Sequence, residues 1–578
     1  MSKAKISTTL LFVSTFCFWA FIKPEWLNFH EQYQLFLFST SYLTQHLALP
    51  GGIAIYLGEF LVQFFYNTYL GAMVAASTIT TIYIILQKIS NCYCNNQNTS
   101  SLQLLAPILI LVYSGDENML FTFPTAILLS LIMSLIYIKK FKTNIWLQFL
   151  FFPLIYWLIG YCVWIYVFTT TIYLIKKESN NYKTMAISGI QMLGLVFFMF
   201  WIAYFPIKNY PMCDIFMGID YHRERMKIPF WQHIIAIICI ITPPITTLLT
   251  KAKNIFFYTS ISAITIIGIL GVIKNYNPNI YSHIKLDYYV RWQKWNDILN
   301  YATKNNLNNV FANTAVNLAL SQTNQMPDRL FEFKQNGNEG FLSNFEYNSF
   351  STGPTAEACY YLGMINSTLR YNFDMQSAIL NSKNSGRFFK RIAEAYLLNG
   401  NYDVADRYLR KLKQTLFYRS WAIETQNCLS DENKIMQNPE WARIKMFKYN
   451  KGLNFSTNNL PKVLITLHEH CPENKMALDY ALSSCLVNKN LEEFIRLFPF
   501  YTKSYGTTNI PKIYQQAFAI ACFQNNYTID NMPSFISQEV KNDFIEFDNA
   551  YLINPKSKIL TTGKFSNSFW KYYMEVGN

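Results

Sequence analysis

Two glutamates in the N-terminal half are the residues best suited to carry out chemistry. Glu59 interrupts the apolar run IYLGEFLVQFFY, where an ionisable side chain is costly and therefore suggests a function. Glu31 lies in a stretch of mixed polarity, and its carboxylate could act as a general base toward a sugar or other hydroxyl acceptor. Structural roles are the alternative: tyrosine or backbone groups could satisfy Glu59, and Glu31 could lie on a solvated helix face.

A basic loop, residues 220–227, is the most charged stretch close to the apolar runs. Fixed positive charge stabilises the negative charge that develops in phosphate chemistry. The loop could therefore bind the phosphates of a polyprenyl-phosphate-linked donor through His222, Arg223, Arg225 and Lys227. The same side chains could instead anchor lipid headgroups or dock onto another domain, and both uses stay open at this point.

Signatures of soluble enzymes are absent from the sequence. It contains no Gly-rich phosphate-binding loop, no nucleophile elbow and no HExxH motif. The 11 cysteines form no CxxC pair and no zinc-binding spacing. We therefore expect neither a metal ion nor a cofactor.

The net charge of +14 does not indicate nucleic-acid binding. The basic residues form no dense stripe and match no nucleic-acid motif, which a binding surface of that kind requires. Many of them flank apolar runs instead, where lysine and arginine set the orientation of a membrane protein. Lipid is therefore the expected contact of the N-terminal half, and no nucleic-acid partner is expected.

Long apolar runs predict that residues 1–280 form a polytopic transmembrane helical bundle, since each span needs about 20 apolar residues. About nine segments qualify as spans, at residues 7–22, 68–89, 102–114, 118–138, 145–158, 160–175, 184–206, 232–250 and 254–273. Residues 28–47 are predicted to form one outer helix in the membrane interface, because apolar side chains recur there at helical spacing. The run 53–66 predicts a short helix that dips into the membrane.

Lysines at the ends of the apolar runs predict the orientation of the chain. They fall on one side when the spans are counted as above, at positions 88, 139, 140, 142, 176, 177, 251 and 253. The positive-inside rule makes that side the cytoplasm. The N-terminus is then cytoplasmic, and the remainder of the chain lies outside the cytoplasm. The parity of this count depends on residues 145–175 forming a hairpin and not one long helix.

Residues 285–578 predict a water-facing all-α domain of stacked helix pairs, because amphipathic segments alternate there with Asn, Gly and Pro breaks. The clearest unit covers 391–412, where Ala393, Gly400 and Ala405 occupy the small positions of a tetratricopeptide-like repeat. The predicted fold is thus a transmembrane bundle followed by an α-solenoid.

Several stretches resemble a domain-of-unknown-function family of bacterial envelope proteins with an N-terminal membrane region and a helical-repeat C-terminus. They include PGGIAIYLGEFLVQFFY, GIDYHRERMKIPF, YYLGMIN and SGRFFKRIAEAYLLNGNYDVADRYLRKLKQTLFYRSWA. The resemblance implies a multi-pass protein of the inner membrane with a periplasmic C-terminal domain, and no particular chemistry. The order of a first span, an outer loop and interfacial helices is also similar to GT-C glycosyltransferases, although the first outer loop lacks their paired acidic residues.

Two functions follow as hypotheses. The first is a GT-C-like transferase that uses Glu31 or Glu59 as acid or base and the basic loop to hold a lipid-linked donor. The second is a non-catalytic membrane scaffold or assembly factor whose repeats bind a protein partner.

Overall fold

The protein is all-α throughout the residues that the structure, a computed structural model, describes. These are residues 3–93, 101–141, 145–177, 181–204, 221–223, 230–246, 254–345, 351–380, 383–449 and 459–575. Within those ranges the chain contains helices and turns, and the β-type pairing is one isolated antiparallel bridge between Met119 and His222. The predicted all-α fold class is confirmed.

The chain divides into two compact units. The N-terminal unit comprises Met1–Tyr281 together with two short segments from the second half of the chain, Leu380–Gly386 and Lys411–Ser420. The C-terminal unit comprises Ser282–Ile379, Arg387–Arg410 and Trp421–Asn578. The first boundary lies close to the division drawn from the sequence at 280–285, but the two inserted segments were not foreseen.

Apolar helices make up the N-terminal unit, and a helix lies at each of the nine segments predicted as spans, of which 205–206 and 247–250 lie outside the described residues. The number of spans stays a prediction. The helices are Lys3–Cys17 with its π-helical continuation Phe18–Ile22, Pro24–Glu31, Thr40–Leu47, Gly52–Val62, Thr68–Tyr93, Leu105–Tyr113, Thr122–Lys140, Ile145–Ile159, Val163–Lys177, Asn181–Tyr204, Phe230–Ile245, Asn254–Asn275 and the start of Pro278–Arg291.

Length and composition identify membrane-spanning candidates among these helices. In the described part of the chain, five stretches are long and apolar enough to cross a bilayer, or six if one bent pair forms a single span; one of the five, Leu150–Lys177, contains a chain reversal. Three further apolar helices are shorter, and they include the predicted dipping helix, which runs from Gly52 to Tyr66. Large apolar side chains such as Leu193, Phe197 and Leu270 are 72%, 72% and 61% exposed, as expected for surfaces that face lipid. The chain is therefore a membrane protein.

Residues 145–177 form a hairpin. By length and composition alone, Leu150–Lys177 is one apolar stretch of 28 residues. The Gln148 amide nevertheless donates to Thr170 Oγ1 at 2.6 Å, whereas a straight helix would hold residues this far apart at roughly 30 Å. The reversal occurs at Gly160, whose φ of +80° suits glycine. The hairpin on which the predicted orientation depends is thus present.

The single helix predicted over residues 28–47 is corrected to two short ones, Pro24–Glu31 and Thr40–Leu47. Between them the chain is extended, and its backbone groups bond to the two inserted segments. Leu35 N–H donates to Asn384 O at 3.0 Å, and Phe38 N–H donates to Gln414 O at 2.7 Å. Backbone groups withdrawn from water need such partners, so long-range pairing replaces the helix that the local periodicity favours.

Helices also build the C-terminal unit, as predicted. They are Trp295–Asn305, Val310–Gln322, Met326–Arg329, Gly353–Tyr361, Ile365–Ser377, Gly386–Asn399, Tyr402–Leu412, Arg419–Gln426, Glu432–Gln437, Pro439–Phe447, Leu460–His470, Lys475–Val487, Leu491–Tyr505, Lys512–Gln524, Gln538–Ile553, Lys558–Thr561 and Phe569–Met574, where some end residues belong to the other unit.

The segment predicted as a repeat unit, 391–412, forms two helices joined at Gly400, which has φ +80°. Ala393 and Ala405 are fully buried, as the small positions of a helix pair should be. The rings of Phe389 and Tyr408 lie 5.2 Å apart across the pair. The helical hairpin is therefore real, while its assignment as a tetratricopeptide-like repeat stays a prediction.

Candidate functional site

Two glycines place the Glu59 helix, Gly52–Val62, against the short helix that precedes it. Gly51 has φ +75° and donates its N–H to Trp157 O at 2.8 Å. A Cβ on Gly52 would lie 1.7 Å from His46 O, which no side chain permits. The sequence PGG therefore brings the end of Thr40–Leu47 into contact with the Glu59 helix.

Protein groups occupy both carboxylate oxygens of Glu59, whose side chain is 1% exposed. Lys383 Nζ lies 2.6 Å from Oε1, and His46 Nε2 lies 3.1 Å from Oε2. The hydroxyl of Tyr42 also donates to Oε2. Burial and the nearby Glu59 charge raise the pKa of Tyr42, which keeps its hydroxyl protonated and able to donate. A buried carboxylate needs such compensation, and here an ammonium, an imidazole and a phenol supply it.

His46 has an oxygen acceptor at each ring nitrogen. Nδ1 lies 2.8 Å from Tyr42 O, and Nε2 faces Glu59. A neutral imidazole donates from one nitrogen only, whereas the doubly protonated ring donates from both. We define the Glu59 cluster as Tyr42, His46, Glu59 and Lys383; protein groups face both oxygens of its carboxylate and both nitrogens of its imidazole.

Glu31 is buried at 5% exposure, so its interpretation as part of a solvated face is wrong. The hydroxyl of Tyr418 donates to Glu31 Oε1 at 3.0 Å. The cavity that Glu31 borders has a volume of about 10 Å³, the size of about one water molecule. A Cβ on Gly386 would overlap the ring of Tyr418, which explains a glycine beside that tyrosine.

Of the basic loop, the structure describes His222 and Arg223, while Arg225 and Lys227 lie outside the described residues. His222 Nε2 lies 3.1 Å from Asp116 Oδ2. Its neighbour Arg223 donates its backbone N–H to Asn118 O at 2.9 Å. These contacts fix the start of the loop to the turn that precedes Thr122–Lys140.

The Arg223 guanidinium lies among aromatic rings. Its central carbon is 4.8 Å from the Phe29 ring centre and 4.3 Å from the Tyr33 ring centre. Its Nη2 is 3.4 Å from His30 Nδ1. Burial and then Arg223 lower the pKa of His30, which keeps the imidazole neutral, and burial lowers the pKa of Arg223 to about 10. Arg223 thus remains a cation at neutral pH and is held by side chains flanking Glu31.

The sequence did not reveal the partners that complete these sites. Tyr42 and His46 stand one helical turn apart, a spacing that could have grouped them. Nothing in the sequence linked Lys383 and Tyr418 to the two glutamates, because they belong to the second half of the chain. Among the residues that the structure describes, no group of three His, Cys, Asp or Glu side chains is arranged to hold a metal ion.

The fold and the buried polar clusters define a multi-helix membrane protein with a second, all-α unit. The chain belongs to the family of unknown function DUF6057, whose match covers residues 2–575. No curated protein matches the chain, and no solved structure matches it either. Membership in an envelope-protein family with tetratricopeptide-like repeats and the likeness to GT-C glycosyltransferases stay predictions.

Proposed function

We propose that this protein is a non-catalytic membrane scaffold or assembly factor, in which the membrane helices anchor an all-α unit that binds a protein partner. The observation that carries the proposal is the enclosure of Glu59. Its two oxygens already face Lys383, His46 and Tyr42. These contacts give the buried carboxylate a structural role, so its burial does not require a catalytic one.

The surroundings of Glu31 also support a non-catalytic function. A general base must lie within hydrogen-bond reach of the proton that it removes. The Glu31 carboxylate instead accepts a bond from Tyr418, and its adjoining cavity of about 10 Å³ leaves no room for a sugar. Both glutamates thereby fix the inserted segments Leu380–Gly386 and Lys411–Ser420 within the N-terminal unit.

The membrane in question is proposed to be the bacterial inner membrane, with a cytoplasmic N-terminus and a periplasmic C-terminal unit. The lysines at the span ends and the 145–177 hairpin support this orientation under the positive-inside rule. Cysteine accessibility reports it directly: Lys556→Cys should react with a membrane-impermeant maleimide in intact spheroplasts.

Photo-crosslinking in living cells tests the scaffold. A photoreactive residue replaces exposed side chains around the C-terminal unit of the full-length protein, for example Thr508 and Asn549. We expect one protein adduct that recurs at neighbouring positions and that reconstitutes with the purified protein. Adducts to lipid alone, or the absence of any protein adduct at all positions tested, would overturn the proposal.

Comparing a single variant with a charge-balanced double variant distinguishes the scaffold hypothesis from the transferase hypothesis. Glu59→Gln alone leaves Lys383 without its counter-ion, so a loss of function could be structural. Glu59→Gln combined with Lys383→Met removes both charges. Envelope glycans that change in the single variant and return to normal in the double variant support a structural Glu59. Glycans that remain altered in a stably expressed double variant would instead favour the transferase.

Deletion of residues 285–578 is not a clean test of the C-terminal unit. It would also remove Lys383 and Tyr418, which belong to the N-terminal unit. Leaving a buried charge without its partner destabilises a protein by about 3–5 kcal/mol. Point variants within the C-terminal unit avoid this loss.

A further inference from the structure

An open cavity of about 970 Å³ lies within the C-terminal unit. Its walls include Asp479 from Lys475–Val487, Tyr501 and Tyr505 from Leu491–Tyr505, and the loop that follows Gly506. Pockets that bind specific ligands have volumes of about 300–1,000 Å³. The cavity is therefore large enough for several residues of a peptide.

Asp479 is a buried carboxylate with one oxygen unpaired. Its side chain is 6% exposed, and Tyr505 Oη donates to Oδ2 at 2.8 Å. The other oxygen, Oδ1, is buried and has no hydrogen-bond partner in the described structure. A buried oxygen without a hydrogen-bond partner is costly, more so when charged, so a ligand that satisfies it binds with an advantage.

Two carboxylates and two lysines line the cavity, and one of the lysines is neutralised by carboxylates that are not part of the wall. Asp328 is a second carboxylate in the wall, and burial raises its pKa. Lys512 is already balanced, because its ammonium lies 2.8 Å from both Glu539 and Asp543. Lys475 is the remaining cation of the wall. Its ammonium lies 4.6 Å from the ring centre of Tyr505, and its charge partly offsets the effect of burial on the pKa of Asp479.

Aromatic rings accompany the carboxylate. Tyr501 and Tyr505 stack at 4.7 Å between ring centres. A carboxylate beside aromatic rings matches the guanidinium group, which bonds to carboxylates and stacks on rings. The hydroxyl groups of Thr507 and Thr508 also line the cavity and can bond to peptide backbone groups.

We infer that this cavity binds an arginine or lysine side chain in an extended segment of a protein partner, with the cation on the Asp479 carboxyl group. The inference rests on the proposed scaffold function and names the chemistry by which the partner is recognised.

Paired peptides test the inference on the full-length protein in detergent at pH 8, above the pKa of about 7 to which burial raises Asp479. The probes are acetyl-Gly-Arg-Gly-amide and the same peptide with citrulline, a neutral isostere of arginine, titrated by ligand-observed NMR. We expect the arginine peptide to bind at least about tenfold more tightly, because charge-assisted bonds contribute about 1.5–3 kcal/mol. Asp479→Asn should bring the ratio close to one, whereas Asp297→Asn, at an exposed position, should leave it unchanged.

A second variant keeps the test decisive if the Asp479→Asn protein does not fold. Thr508→Arg, at the exposed rim, should compete with the peptide for the cavity and weaken its binding. Equal affinity for the two peptides, no binding of the arginine peptide up to about 10 mM, or a preference that persists in Asp479→Asn would each overturn the inference. A protein adduct that forms equally well in Asp479→Asn would leave the scaffold standing while overturning this site.

Discussion

Lys383 Nζ lies 2.6 Å from Glu59 Oε1, although the two residues belong to opposite halves of the chain. The lysine side chain is 17% exposed and the glutamate 1%. An ion pair this deep is weak evidence for net stability, but breaking it on one side is costly. The pair therefore makes the N-terminal unit dependent on a segment that follows it by about a hundred residues.

Removal of the lysine should destabilise the protein. Lys383→Met is expected to lower the free energy of unfolding by about 3–5 kcal/mol, because the Glu59 carboxylate stays buried with less compensation. Adding Glu59→Gln should recover most of that loss. Denaturant unfolding in detergent measures both, with Lys556→Met at an exposed site as the control. If the losses in the free energy of unfolding from the two substitutions simply added up in the double variant, the proposed interaction between Lys383 and Glu59 would be contradicted.

The Tyr418 hydroxyl should stabilise the protein through Glu31. Tyr418→Phe keeps the ring, which packs 5.3 Å from Tyr66, and removes the hydroxyl that donates to the carboxylate. Hydrogen bonds to charged groups contribute about 1.5–3 kcal/mol, and a loss of that size is expected in denaturant unfolding. The matched variant Tyr551→Phe should change stability by less than about 0.5 kcal/mol. Equal effects of the two would show that the Glu31 bond contributes nothing.

Arginine should not be replaceable by lysine at position 223. Its guanidinium lies close to two rings, and the planar group stacks in a way that an ammonium does not. Cation–π contacts contribute about 0.5–2 kcal/mol, so Arg223→Lys should lower stability by about 1–2 kcal/mol. The same change at exposed Arg419 serves as the control for a melting-temperature comparison, and a matching shift there would refute the role of stacking.

The stability of the C-terminal unit should fall as the pH rises from about 4 to about 7. Burial raises the pKa of Asp479 to about 7, so across this window the folded protein holds a proton that the unfolded chain releases. A pKa difference of roughly three units corresponds to about 4 kcal/mol. The groups that face this carboxyl are Tyr501, Tyr505, Tyr514, Lys475 and Asp328.

Asp479→Asn removes that proton linkage. The variant should melt at a higher temperature than the wild-type protein at pH 8, and the difference should shrink toward pH 4. Differential scanning calorimetry in detergent at several pH values, with Asp297→Asn as the control, measures the trend. A difference that does not vary with pH would contradict a raised pKa at Asp479.

Apolar periodicity was sufficient to predict the helices, because a membrane span or a buried helix face is a local property of the sequence. Each segment predicted as a span is mostly helical in its described part, and the lysines after residue 175 correctly favoured a hairpin over one long helix. Gly160 supplied the turn. These features need only residues close in the chain.

The candidate site was predictable only in part, because its polar groups come from distant residues. Glu59 and Glu31 stood out by their own positions, yet their roles depend on Lys383 and Tyr418, which nothing in the local sequence marks. The helix predicted over 28–47 failed for the same reason, since Leu35 and Phe38 bond to backbone groups far along the chain. Long-range pairs of this kind require knowledge of the fold.

Because the N-terminal unit includes two segments from the second half of the chain, it cannot be completed until those segments have been synthesised. The ribosome must add about a hundred residues after Tyr281 before Leu380–Gly386 emerges, which takes roughly 5–20 s at 5–20 residues per second. During that interval the newly inserted helices contain Glu59 without its ammonium partner. The helical bundle therefore stays incomplete until a later segment of the same chain has been synthesised and has reached it.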